Sequence, residues 1–402
     1  MGDTRKPDED AVMRARVLLL GSDRPSNREQ VEAYRILVQV NPRAYLAKLT
    51  HALVVRTWDT RDPKRHVALY AEAVDAMRRY GGEVPGGKDE LSSALRGYQH
   101  ALFSDGRRAE GRAVCEELAA AGRYGRLAVV LAEEGRHAEA ADLHARHIVP
   151  GDTDVSEWTL IEWAAELDAA GRHEEALEVF ARVVGDARRT AEKDLAPLAA
   201  LVWKLDQYAR MLRAAGRTAE EAAARRETLT LLARLAEGGE PVSWSNIQAS
   251  WVTLLLLSGR PAEPAATPEA PLPAFGVHPH HGWSPDIRED WFASIPALER
   301  RTAALRESGD LPGLIAAQRR LTVRRALRWE TSGRQAEDSL RPAFDEGVRL
   351  ARRPDGGTSA LVRALTDRSM FLLAVKRYEG AHADFAEAVA LQGDAPPIVT
   401  RT

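Results

Sequence analysis

The chain has 402 residues, with 56 Lys and Arg against 59 Asp and Glu, a net charge of −3 and one cysteine. Near-balanced charge excludes the overall cationic excess that draws a protein to nucleic acid or to an anionic membrane surface. One cysteine excludes an intrachain disulfide and a cysteine-based metal site and fits a reducing, cytoplasmic setting, and the length calls for several domains or an extended repeat array rather than one compact core.

At the start, Asp8, Glu9 and Asp10 precede a short apolar run at 17–20, which departs from the charged-then-apolar pattern of a secretory leader. Helical periodicity then marks 31–40, closed by Asn41-Pro42, followed by 44–58 and 66–80. The run Gly-Glu-Val-Pro-Gly-Gly-Lys at 82–88 has the glycine and lysine spacing of a phosphate-binding loop. Asp89, however, stands where that loop needs Ser or Thr to coordinate magnesium, and a helix rather than a strand precedes it. The segment therefore reads as a loop between helices, with Asp89 capping the helix that follows.

Further along, a Gly-Arg pair recurs at Gly106-Arg107, Gly135-Arg136, Gly171-Arg172, Gly216-Arg217 and Gly333-Arg334, with the related pairs Gly259-Arg260 and Lys376-Arg377. Before Gly171, Leu160, Trp163, Ala164 and Leu167 share one helix face; after it, Ala176, Phe180 and Val183 share another. Gly takes the left-handed backbone that ends a first helix, so each pair predicts a helical hairpin. The same offsets hold Tyr124, Leu127, Ala128 and Leu131 before Gly135, and Leu205, Tyr208, Ala209 and Leu212 before Gly216. Ala128, Ala164 and Ala209 share one offset, where a small side chain lets two helices approach closely. Around Lys376 the residues are Leu365, Ser369 and Leu372, then Tyr378, Ala381, Phe385 and Ala388.

Large, small and large apolar residues, a turn glycine, then an aromatic, Ala, Phe and Ala form a pattern that resembles the tetratricopeptide repeat family. The resemblance implies an all-α fold, an α-solenoid of seven or eight stacked hairpins interrupted by a Pro-rich insert, with a concave groove lined by each first helix. In that family ligand contacts come from first-helix positions that correspond here to Trp158, Ile161, Ala165 and Asp168, to Trp203, Asp206, Arg210 and Arg213, and to Arg96, His100 and Phe103. Two indoles in register, with arginines beyond them, would offer an aromatic and cationic surface to an extended peptide or a partner helix. The offset of the Asn in the family's carboxylate clamp is held by His100, Val129, Ala165 and Arg210, so that clamp is not implied. The chain also resembles the sensor arrays of bacterial regulatory ATPases, and its Arg-, Ala- and Pro-rich composition resembles actinobacterial proteins, but it carries no ATPase motif.

The turns lie 29, 36, 45 and 43 residues apart up to Gly259, then 74 to Gly333. The surplus falls at 261–296, which carries eight prolines and reads as an insertion or hinge. The expected organisation is repeats over 1–258, a Pro- and His-rich insert over 259–286, repeats again over 287–391 and a tail over 392–402. Beyond the insert, 311–329 holds five arginines and no acid, with Arg320, Arg324 and Arg328 on one face. That strip is either a face paired with carboxylates of neighbouring helices or a docking strip for an acidic peptide or phosphate groups.

His144 and His147 fall at the offsets of Phe180 and Val183, so both are expected to pack between helices rather than hold a metal. Cys115 shares that offset and reads as a small buried residue. His278, His280 and His281 lie in the insert and read as loop residues. The apolar run at 251–257 is shorter than the roughly 20 residues that span a bilayer. No nucleophile elbow or zinc-protease motif appears, so no catalytic residue, metal or cofactor is assigned. The expected function is a non-enzymatic cytoplasmic scaffold or regulatory adaptor that binds a protein or peptide in its groove, without a membrane or nucleic-acid partner. The alternative is a small-molecule sensor, or an enzyme, with a pocket closed by the insert.

Overall fold

The structure, a computed structural model, describes residues 8–21, 24–148, 155–242, 247–327 and 335–393. Among the described residues the regular elements are all helices, and no strand is present. The chain divides into two compact units, Met1–Val130 with Ser284–Asp286, and Leu131–Trp283 with Ile287–Thr402. The boundary expected at 258 falls inside the second unit.

The first unit runs through α1 (Glu9–Leu20), α2 (Asn27–Val40), α3 (Pro42–Thr57), α4 (Pro63–Tyr80), α5 (Gly87–Ser104) and α6 (Arg108–Ala120), each packed on the next, and enters α7 (Gly125–Glu133). Ser26 and Glu29 form a capping box at the start of α2. Asn41 ends α2 and starts α3, its side chain accepting from the Ala44 amide at 3.1 Å with Pro42 in the first helical position. Val31, Leu46, Leu53, Val74 and Leu102 form the core between these helices. Asp89 does not cap α5 as expected. The cap is Gly86, in left-handed backbone, and Asp89 lies in the first turn, where its charge favours the helix N-terminus.

The recurring turn has one physical form. At Gly171 the backbone has φ 79°, and the following amide, of Arg172, donates back to the Leu167 carbonyl at 2.9 Å, closing the first helix. Lys376 adopts φ 59° for the same closure, with the Arg377 amide bonded to the Leu372 carbonyl at 2.8 Å. The arginine then pairs with a glutamate three residues on: Arg107 with Glu110, Arg136 with Glu139, Arg172 with Glu175 and Arg217 with Glu220. These pairs are solvent-exposed and contribute little; they fix the entry of the second helix more than they stabilise it. The turn expected at Gly333-Arg334 lies outside the described residues.

The second unit contains α8 (His137–His147), α9 (Glu157–Ala169), α10 (His173–Glu192), α11 (Leu198–Ala214), α12 (Thr218–Gly238), α13 (Ile247–Gly259), the short α14 (Pro279–Gly282), α15 (Pro285–Ala293), α16 (Ile295–Ser308), α17 (Leu311–Ala326), α18 (Gln335–Ala351), α19 (Thr358–Ala374) and α20 (Tyr378–Ala390). From α8 to α12 neighbours in sequence are neighbours in space. Beyond α12 the order reverses: α12 packs on α20, and the layer returns through α19, α18, α17 and α16. The last hairpin in sequence therefore stacks on α11 and α12. α13 stands apart from the layer and packs against α11, α17 and α19 together. Residues 249–257 of α13 are all buried, as befits a helix without a polar face enclosed on several sides. No helix among the described residues is long and apolar enough to cross a membrane.

Candidate functional site

The face expected to form an open groove is occupied by the chain itself. On α9, Trp158 is half-buried and meets the His278 ring edge-on at 5.6 Å. Ile161 and Ala165 are buried, and Gly276 lies so close that a Cβ there would stand 2.6 Å from the Ala165 Cβ. Asp168 accepts from Arg260 Nη2 at 2.5 Å and from His173 Nδ1 at 2.8 Å, while Arg260 Nη1 donates to the Ala165 carbonyl at 2.7 Å. One hairpin earlier, the Leu272 amide donates to the Glu133 carbonyl at 2.9 Å. Nearby, the Ala266 carbonyl lies where a Cβ on Gly135 would stand at 2.1 Å. Residues 260–278 thus run as an irregular strap, opened by a 3-10 turn at Arg260–Ala262, across the first-helix positions of two hairpins.

Gly276 has φ 96° and touches α9, so both its backbone conformation and its missing side chain are needed. Gly276→Val is expected to destabilise the strap by about 1–3 kcal/mol. Limited proteolysis should then cut at 260–278 much faster than in the wild type, while far-ultraviolet circular dichroism stays unchanged; equal cleavage rates would show that the contact does not hold the strap.

The expected groove residues of α11 are likewise engaged. Trp203, in register with Trp158 by the repeat spacing, is buried rather than displayed, and its Nε1 donates to the Met370 carbonyl on α19 at 3.2 Å. The reason is the reversed layer, which places α13 and α19 against α11. Arg210 donates to Asp206 at 2.9 Å and to Asp367 at 3.1 Å, and Arg213 pairs with Glu221 at 2.6 Å. Burial works against the Arg210 charge, but Asp206 and Asp367 outweigh it and hold the guanidinium above its ordinary range.

The basic strip is internal as well. Arg320 and Arg324 both donate to Glu263 of the strap, at 2.6 and 2.8 Å, and the Arg324 guanidinium lies 3.9 Å from the centre of the Trp291 ring. Burial lowers the Arg324 pKa, with Glu263 opposing. Of the two readings, this fits a paired face, the carboxylate coming from the strap instead of a neighbouring helix. Arg328 lies outside the described residues.

In the first unit, Arg96 and His100 are exposed on α5, whereas Phe103 is fully buried with Cys115 and Val130, under the guanidinium groups of Arg108 and Arg126. Phe103 is therefore a core residue and not part of a binding face. Cys115 is buried as expected. His144 is buried 3.4 Å from Glu162, but His147 is exposed, because α8 ends there and its ring Nδ1 donates to the Leu143 carbonyl at 2.8 Å. Glu166, buried, accepts from His137 Nδ1 at 2.7 Å; burial raises its pKa, with His137 opposing. Among the described residues no group of three or more His, Cys, Asp or Glu is placed to hold a metal ion.

The sequence offers the insert as a cover only in the alternative reading, because periodicity assigns a face without saying what covers it. A usable signal is the pairing of Arg260 and Glu263 inside a Pro-rich run, since charges beside prolines need partners if the segment is ordered. No protein-family model matches the chain, and no curated protein matches it.

Proposed function

We propose that the chain is a non-enzymatic helical-repeat scaffold, built from tetratricopeptide-like hairpins, whose first-helix face recognises an extended polypeptide. The observation that carries this reading is the strap: a Pro- and Ala-rich segment bound across α9 and the α7–α8 turn through the Leu272–Glu133 backbone hydrogen bond, the close contact of Gly276 and the Arg260–Asp168 ion pair. A surface that holds one extended segment by its backbone can hold another of similar composition. The partner is then a Pro- and Ala-rich stretch carrying an arginine for Asp168 and, three residues on, an acid for Arg320 and Arg324. It displaces the strap, so the protein acts as a regulatory adaptor whose groove opens when partner concentration overcomes the cis segment. A cytoplasmic setting fits the single buried thiol.

The test separates the strap from its binding face. A chain with residues 260–277 replaced by a Gly/Ser linker is titrated with a synthetic peptide of residues 260–280. Binding by the linker variant, at least about tenfold weakened in the wild type whose own strap competes, is the expected result. A linker variant that keeps its helicity and ignores the peptide overturns the proposal.

A further inference from the structure

Separate from the strap, the second unit holds a half-open cavity of about 230 Å³ between α13, α17, α18 and α19. Leu255, Ile315, Val323 and Phe344 give it apolar walls, and its charged residues are Arg319, Arg363 and Asp367. These three cluster, since Arg319 pairs with Asp367 at 2.7 Å and Arg363 stands one helical turn before Asp367 on α19.

The charges around the cavity do not balance. The Asp367 carboxylate is shared by Arg319 and Arg210, and Glu221 is shared by Arg213 and Arg225. Among the described residues no carboxylate lies within ion-pair distance of Arg363. Arg363 also lines two adjoining cavities of about 310 and 140 Å³, whose other charged residues are Arg210, Arg213, Arg225, Arg260 and Arg319 against Asp168 and Asp206. Burial, and then the neighbouring Arg319, hold the Arg363 guanidinium below its ordinary range. An anion would relieve that field through charge-assisted hydrogen bonds.

We infer that this cavity is a binding site for a small organic anion with an apolar body, its carboxylate held by Arg363 and its chain lying against Leu255, Ile315, Val323 and Phe344. Both parts of the ligand follow from the lining. An inorganic anion would leave the apolar walls unfilled, and an uncharged molecule would leave Arg363 without a counter-charge. Gly347, on α18, also lines the cavity, and a Cβ built there meets nothing within 4 Å. Leucine at this position therefore enters open space, and it improves helix propensity over glycine.

Decanoate, 1-decanol and acetate, each below any micellar concentration, are titrated into the full chain by calorimetry. Decanoate is expected to bind at least about tenfold more tightly than either comparison molecule, because only it satisfies both parts of the site. Arg363→Gln should lower decanoate affinity by about tenfold or more and leave 1-decanol unchanged. Gly347→Leu should remove binding of both without lowering the melting temperature of the unliganded chain. Absence of decanoate binding, equal affinity for 1-decanol, or indifference to both substitutions overturns the inference; since no described carboxylate pairs with Arg363, its substitution breaks no ion pair between helices and leaves the fold in place for the measurement.

Discussion

Asp367→Asn is expected to destabilise the second unit by about 3–5 kcal/mol in urea denaturation at pH 7. Asp367 is 5% exposed and accepts from Arg319 Nε at 2.7 Å and from Arg210 Nη2 at 3.1 Å. Arg319 in turn donates to the Ser258 carbonyl at 3.2 Å and to its hydroxyl at 2.9 Å, and Arg210 also bonds Asp206. One carboxylate on α19 thus joins α11, α13 and α17, the elements around which the layer reverses. Asparagine keeps the shape but leaves two largely buried guanidinium groups facing Arg363 with less compensation, and removing one partner of such a network costs far more than the network is worth against an apolar replacement. The same change at Asp345, whose side chain is 50% exposed in its pair with Arg368, should cost under about 1 kcal/mol. A cost at Asp367 no larger than at Asp345 would show that the network does not hold these helices together.

The sign of the pH dependence follows from the carboxyl's environment. Burial pushes the Asp367 pKa up, but Arg319 and Arg210 outweigh it and hold the group below the ordinary aspartate value of 3.8. A depressed folded-state pKa means that the stabilisation is present above 3.8 and is lost as pH falls through the lower folded value. The difference between wild type and Asp367→Asn should therefore be constant from pH 7 to about 5 and shrink below 3.8. A difference that stayed constant down through this range would assign the effect to packing instead of charge.

The local elements are legible in the sequence because each rests on neighbours in the chain. Leu160, Ala164, Leu167, Phe180 and Val183, placed by their distance from Gly171, are all buried. So are Ala128 and Ala209 at the small-residue offset. What periodicity cannot supply is the partner of a helix. The α12 face looks like that of any repeat, and nothing within it says that α20 packs there in place of the next helix. Two signals do point to the covered groove. The run Leu198-Ala199-Ala200-Leu201-Val202-Trp203 has no polar break, and twelve of the seventeen residues of α11 are buried, more than one face accounts for. The run at 251–257, too short for a membrane, meets the same criterion for a helix enclosed on several sides. The Arg-to-Glu pairing after the turns at Gly106, Gly135, Gly171 and Gly216 is also present in sequence as Gly-Arg-x-x-Glu, but its role emerges only from the cap geometry that brings the two side chains together.

Trp203→Ala should then lower stability by about 3–5 kcal/mol, as expected for deleting a buried indole. Trp203 is 2% exposed and contributes to a contact between α11 and α19, with Trp251 and Leu254 of α13 lining the same small cavity of about 20 Å³. Most of the loss is packing; the hydrogen bond to the Met370 carbonyl accounts for about 1 kcal/mol. Were Trp203 displayed in an open groove, as the repeat register alone predicts, truncation would change stability by no more than about 0.5 kcal/mol and act only on a bound partner. The two placements differ several-fold in one denaturation curve, so no ligand is needed to decide between them. Trp203→Phe sharpens the test, because it keeps much of the apolar volume and removes the donor, and its cost should fall between those of the wild type and the alanine variant. If Trp203→Ala unfolds at the wild-type midpoint, α11 is not covered by α13 and α19 at this residue. A large loss places Trp203 in the packed contact between α11 and α19 and removes it from the proposed recognition face.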